Sequence, residues 1–241
     1  VEDPLYLPAF FERVLSERRD VAGVFVVAPL YRNQTSRGAA LRYARTFGWG
    51  AAMRLAGRLA VARIRGESVE RVAARHGVLC EHVADVNDEA FLDRLRAVGA
   101  DLIVSVSCPQ LFRKPLIELA PRGCLNVHGA LLPEYRGVLP SFWMLANGEK
   151  EAGISVFFVN ESIDAGELCG QRAFEIEPGE SLDAFIHRSK AEAAELVLTV
   201  LQQIEGGAIV RQPLDLAAGS YYSWPDRTAV RRLRAAGHSI W

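Results

Sequence analysis

Three polar residues stand out for what their types and spacing can do: Asn126, His128 and Asp164. The apolar lead-in Gly123-Cys124-Leu125 predicts a short strand that runs out at His128. Side chains two apart on a strand share a face, so Asn126 and His128 are expected to point the same way. Asp164 comes from the run Ser162-Ile163-Asp164-Ala165-Gly166, where Gly166 lets a loop bend after an apolar strand. Asn supplies a neutral amide donor, His a group that titrates near neutrality, and Asp a carboxylate that orients the imidazole and favours its charged form. Such a trio suits acyl transfer to an amine. The amide holds the carbonyl oxygen as charge grows on it, while imidazole and carboxylate manage the proton leaving nitrogen. Taken singly, Asn126 reads as a turn cap and Asp-x-Gly as an ordinary turn; Glu161 is a weaker carboxylate in the same loop. His76 before Gly77, His82 in a connecting segment, His187 on a long helix and His238 near the C-terminus read as structural or solvated.

The elements that must position these groups follow from hydrophobic period. Leu5, Leu7, Phe10, Phe11, Val14 and Leu15 form a helical stripe over residues 4–19. Val21 to Ala28 is a continuous apolar run closed by Pro29, as in a strand buried on both faces. Glu67 to His76 and Asn87 to Val98 read as helices, the second capped by Asn87 and closed by Gly99. Asp101 to Val106, Gly153 to Asn160 and Glu167 to Ile176 read as strands, and Ser181 to Glu205 as a long helix ended by Gly206-Gly207. Strands alternating with helices imply an α/β, doubly wound, Rossmann-like domain with a mostly parallel sheet and helices on both faces.

At 241 residues the chain is expected to form one large domain over 1–206, with a short C-terminal extension over 207–241. Half of its residues are hydrophobic, enough for a sizeable core. The net charge of −1 excludes a globally basic DNA binder. Cys80, Cys108, Cys124 and Cys169 form no C-x-x-C pair; with Cys124 and Cys169 on strands, they read as buried free thiols in a reducing cytoplasm. No cleavable signal and no run of about 18 apolar residues is present, so neither secretion by that route nor a membrane span is expected. No His/Cys cluster has metal-ligand spacing and no cysteine joins the trio, so neither a metal nor a covalent enzyme adduct is expected.

Charge is segregated. Residues 31–65 hold eight arginines (32, 37, 42, 45, 54, 58, 63 and 65) and no acidic residue, leaving 20 basic against 29 acidic residues elsewhere, a net −9. Leu41, Phe47, Trp49, Met53, Leu55 and Leu59 interleave with them, as in a basic amphipathic helix pair broken at Gly48 and Gly50. Three readings stay open: a solvated helical face, a groove for an anionic acceptor, and contact with an anionic membrane surface.

The run Asn126-Val127-His128-Gly129-Ala130-Leu131-Leu132-Pro133-Glu134-Tyr135-Arg136-Gly137, followed by Pro140, Trp143 and Ile163-Asp164-Ala165-Gly166, resembles the signature of 10-formyltetrahydrofolate-dependent formyltransferases. The likeness is firm over residues 101–171 and looser elsewhere. It departs at Gly129-Ala130, where many relatives carry a residue followed by Ser. The resemblance implies Asn126, His128 and Asp164 as the catalytic residues. It also implies a slot for the pterin of 10-formyltetrahydrofolate between residues 107–111 and 160–166, lined by Cys108, Pro109, Gln110, Leu111, Ile163 and Gly166, with the 131–132 leucines as apolar walls. Tyr135 and Arg136 would order the loop beneath. Relatives also place a short central strand ahead of the first helix, so Val1-Glu2-Asp3-Pro4 is expected to start beyond a missing first strand.

Only some 35 residues follow Gly206, too few for the nucleic-acid-gripping barrel of the tRNA enzyme. The Tyr221-Tyr222-Ser223-Trp224-Pro225 segment, followed by a helix to about Ala236, resembles the tail of compact amino-sugar N-formyltransferases. The expected acceptor is therefore an anionic small-molecule amine, a nucleotide-linked amino sugar, with arginines of 32–65 able to meet its diphosphate and a homodimer through the C-terminal segment. The alternatives are methionyl-tRNA, a glycinamide-type nucleotide, a carrier-bound amino acid, hydrolysis of the formylfolate, and a non-catalytic binding module.

Overall fold

A computed structural model describes residues 3–27 and 35–241. Helix α1 (Leu7–Glu17) begins behind Asp3, whose carboxylate accepts the N–H groups of Leu5 and Tyr6 at 3.1 and 3.3 Å, and carries Pro8 in its first turn, where no N–H is needed. The chain continues through β1 (Val24–Val27), α2 (Ser36–Phe47), α3 (Trp49–Arg65), α4 (Val69–Arg75), β2 (Cys80–Val83), α5 (Glu89–Val98), β3 (Ile103–Val106), α6 (Lys114–Ile117) and β4 (Cys124–His128). It ends with β5 (Arg136–Gly137), α7 (Pro140–Asn147), β6 (Glu151–Phe158), β7 (Leu168–Glu175), α8 (Leu182–Glu205), a single 3₁₀ turn at Leu216–Ala218, β8 (Tyr221–Tyr222) and α9 (Arg227–Ala235).

Strands β1 and β2 pair in parallel, as do β3 and β4; β4–β6 and β6–β7 are antiparallel. Beside these lies a two-residue parallel pairing of β5 with β8. Helices α1, α4 and α8 cover one face of the sheet through Phe10, Leu15, Val72, Val197 and Val200, against Val127, Ile154 and Val156. On α5, Phe91, Leu92 and Leu95 pack with Val27 and Val83. A further cluster joins α7, α8 and α9 through Phe142, Phe185 and Leu233. Ion pairs clip α1 to its neighbours: Arg13 to Glu195 at 2.6 Å, His76 to Glu12 at 2.9 Å, and Arg18 to Glu205.

The doubly wound reading holds, with an antiparallel flank that the sequence pattern did not distinguish. Among the described residues no strand joins β1 to β3. Their facing surfaces enclose an apolar cavity of about 400 Å³, lined by Phe10, Val14, Val24, Phe25, Ile103 and Leu201.

Several local expectations change. The break between α2 and α3 is Gly48 alone, at φ 97°, while Gly50 lies within α3. Asp88, not Asn87, stands at the N-cap position of α5, without a side-chain capping bond; the Asn87 side chain instead accepts from Arg113 N at 2.8 Å and donates to Leu111 O at 2.9 Å, tying two loops together. His82 lies on β2 rather than in a connector. Cys80 is also on a strand, and of the four cysteines only Cys124 is fully buried. Within the arginine-rich segment, Arg42 stacks on Trp224 at 4.6 Å and Arg58 pairs with Asp183, whereas Trp49, Met53 and Ile64 are exposed along α3; Arg32 lies outside the described residues. The C-terminal extension packs on its own chain through β8 and α9. Among the described residues no helix is long and apolar enough to cross a membrane.

Candidate active site

Asn126 and His128 occupy one face of β4, as their spacing requires, with Asn126 opposite Phe157 and His128 opposite Ser155 on β6. Asn126 is half-buried, and its side-chain amide makes no hydrogen bond among the described residues, so the donor is free for a ligand. His128 is buried, at 6% exposure. Its Nε2 lies 2.8 Å from the carbonyl oxygen of Tyr135, a distance that makes Nε2 the protonated nitrogen, because a carbonyl can only accept. In the neutral ring the lone pair is then on Nδ1, which faces Asp164 Oδ2 at 3.6 Å. That separation is too long for a direct hydrogen bond, and it leaves Nδ1 able to take a proton beside a carboxylate.

Asp164 is held from the other side. Its Oδ2 accepts the backbone N–H of Gly137 at 2.9 Å, and its own backbone adopts φ 47°, in the left-handed region. Gly166, two residues on, lies against β6 so closely that a Cβ there would stand 1.7 Å from the carbonyl oxygen of Phe158. Only glycine permits that approach, and it fixes where the aspartate loop leaves the sheet.

The loop from Gly129 to Gly137 carries the partner atoms of both side chains, and other residues tie it down. Ser155, fully buried, donates to Ala130 O at 2.7 Å and accepts from Leu132 N at 2.9 Å. Gln171 Nε2 donates to Leu132 O at 2.8 Å and approaches Ser155 Oγ at 3.0 Å. Tyr135 N donates to Ser220 Oγ at 2.8 Å, and the Tyr135 ring stacks on Tyr222 with centroids 5.2 Å apart. Tyr135 thus orders the loop, as expected. Arg136 Nε is buried without a partner among the described residues.

The expected cofactor-binding residues divide. Gln110 is committed to the protein, accepting from Val86 N at 2.8 Å and donating to Ala84 O at 2.7 Å. Cys108 and Pro109 are half-buried, and burial raises the Cys108 thiol pKa. Leu111 and Ile163 stay exposed, at 64% and 42%, apolar side chains left uncovered on the two loops expected to flank a ligand. Sequence reasoning missed Ser155 and Gln171. The available signal was a hydroxyl in the middle of an apolar strand, since a buried polar group must find partners.

Comparison with known proteins gives the family and the fold. The family model described as "Formyl transferase" matches residues 61–201. The chain is 31% identical over 159 residues to the methionyl-tRNA formyltransferase of Ruminiclostridium cellulolyticum, covering 66% of this chain and 51% of that one. The chain thus spans about half the length of the curated relatives it matches. Its fold is shared with glycinamide ribonucleotide transformylase 1 from Symbiobacterium toebii (TM-score 0.61, 20% identity, 87% and 91% of the two chains). A sugar N-formyltransferase from a Shewanella strain also has this fold (TM-score 0.51, 23% identity, 59% and 56%). Because the family model covers more than half of the chain, including all three residues of the His128 site, the protein belongs to the formyl transferase family.

Proposed function

We propose that the protein is an N-formyltransferase that moves a formyl group from 10-formyltetrahydrofolate to a primary amine, carried by a nucleotide-linked amino sugar. The observation that supports it most is the orientation of His128: one ring nitrogen tied to the Tyr135 carbonyl, the other turned to Asp164 at 3.6 Å. The free amide of Asn126 donates to the formyl oxygen as negative charge develops there. His128 Nδ1 receives the proton of the attacking amine and returns one to the leaving folate nitrogen. Asp164 orients the ring and offsets its positive charge. Acid–base help of this kind is worth about 100- to 10,000-fold, and an oxyanion donor about 100- to 1000-fold. The folate is held by Cys108, Pro109, Leu111, Ile163 and Gly166, with exposed Leu111 and Ile163 as apolar walls; Gln110 acts by bracing its loop.

The amino-sugar acceptor is supported by the Tyr221-Tyr222 segment, which pairs with Arg136–Gly137 directly under the loop that holds Asp164. Methionyl-tRNA is the second reading, because the curated relatives are named for it. The test is tetrahydrofolate release from 10-formyltetrahydrofolate, with and without a panel of nucleotide-linked amino sugars and methionyl-tRNA. Release that requires an amino sugar supports the proposal. Release that requires the tRNA replaces the acceptor, and release with no amine makes the protein a hydrolase.

A further inference from the structure

Lys190 lies on α8, the helix that covers the sheet face opposite His128, yet its side chain crosses to the site end of the sheet. Its Nζ bonds to Ser107 Oγ at 2.8 Å, and Ser107 immediately follows β3, whose Val106 pairs with Val127 on β4. The preceding residue on α8, Ser189, approaches the backbone just after His128: a Cβ built on Gly129 would lie 4.0 Å from Ser189 Oγ. The ammonium therefore projects at the carboxyl ends of β3 and β4, where open α/β sheets hold their ligands.

Its surroundings leave a charge uncompensated. The side chain is half-buried, and desolvation lowers its pKa from the ordinary lysine value. Among the described residues no carboxylate comes within ion-pair distance of it; Asp3, whose charge opposes that shift, is occupied by the Leu5 and Tyr6 N–H groups at the start of α1. The ammonium, half-buried and bonded to an exposed hydroxyl, has no ion-pair partner among the described residues, and an anionic ligand reaching it from solvent supplies one.

We infer that Lys190, with Ser107 beside it, binds the phosphate of the acceptor. This rests on the formyl-transfer reading of the same site and adds to it the residue that selects an anionic amine. A compact ammonium suits phosphate as a point charge.

The test combines titration of the folded protein with inorganic pyrophosphate and steady-state kinetics of Lys190→Met and Lys190→Arg. Lys190→Met keeps most of the apolar stem, so the fold is expected to survive. It should weaken pyrophosphate binding at least tenfold and raise the acceptor KM by a similar factor. The kcat and the KM for the formyl donor should stay within about twofold, and Lys190→Arg should recover most of the loss. Unchanged pyrophosphate affinity and acceptor KM overturn the inference. A rise in the donor KM alone also overturns it, because the anion would then belong to the folate. If no amine is formylated at all, the functional reading fails, while the pyrophosphate titration still decides the role of Lys190.

Discussion

Replacement of His128 by Asn separates chemistry from packing at this site. The imidazole contributes one bond to the fold, from Nε2 to the Tyr135 carbonyl at 2.8 Å. A net hydrogen bond of this kind is worth about 1 kcal/mol, and the asparagine amide can still offer a donor to the carbonyl. For a domain of this size that corresponds to a fall in Tm of about 2–4 °C. The catalytic loss is expected to be much larger. Nδ1 faces Asp164 at 3.6 Å, and asparagine has no basic nitrogen to take a proton there. Removing general acid–base help of about 100- to 10,000-fold corresponds to roughly 3–5 kcal/mol in the barrier. The assay is tetrahydrofolate release with the identified amine, alongside thermal unfolding followed by circular dichroism. Turnover within about threefold of the parent would refute the assignment. A Tm drop above about 10 °C would show instead that His128 is mainly structural.

Further outcomes follow from other contacts. Gly166→Ala forces its Cβ against the Phe158 carbonyl, so it should lower stability by about 1–3 kcal/mol and reduce activity by moving Asp164; an unchanged Tm would count against the close approach. Burial pushes the Cys124 and Cys169 thiols up to about 12, so neither should react with a maleimide at pH 8 until the protein unfolds, as labelling followed by mass spectrometry would show. Glu12 is held below the usual glutamate range by Arg75 and His76, Asp20 by Arg18, and Glu195 by Arg13. A depressed folded pKa means that the unfolded chain binds more protons in acid. These contributions are therefore complete above the unfolded values, near pH 4.5, and disappear as pH falls through the folded ones. The Tm should decline as pH drops from about 5 to 3, and Glu12→Gln should flatten part of that decline.

The sequence by itself pointed to the candidate reacting groups and determined the class of fold. Asn126 and His128 are two apart on a strand, and that spacing alone puts them on one face, because strand periodicity is local. The apolar runs and the glycines at 48, 99, 166 and 206 likewise marked elements and their ends through backbone preferences that need no tertiary partner. Other features depended on contacts between distant residues. The antiparallel flank of β6 and β7 follows from register, which local pattern does not encode. Asn87 was read as a helix cap, but its side chain serves Leu111 and Arg113, which only the folded loop brings near. Ser155 and Gln171 gained their role by meeting the Ala130–Leu132 turn, and the Gln110 side chain found its partners in the backbone at Ala84 and Val86. The orientation of His128 was set the same way: the Tyr135 carbonyl and the Asp164 carboxylate, 7 and 36 residues away in sequence, decide which nitrogen carries the proton. Residue type fixes what a group can do chemically, but only its neighbours in space fix its protonation and direction.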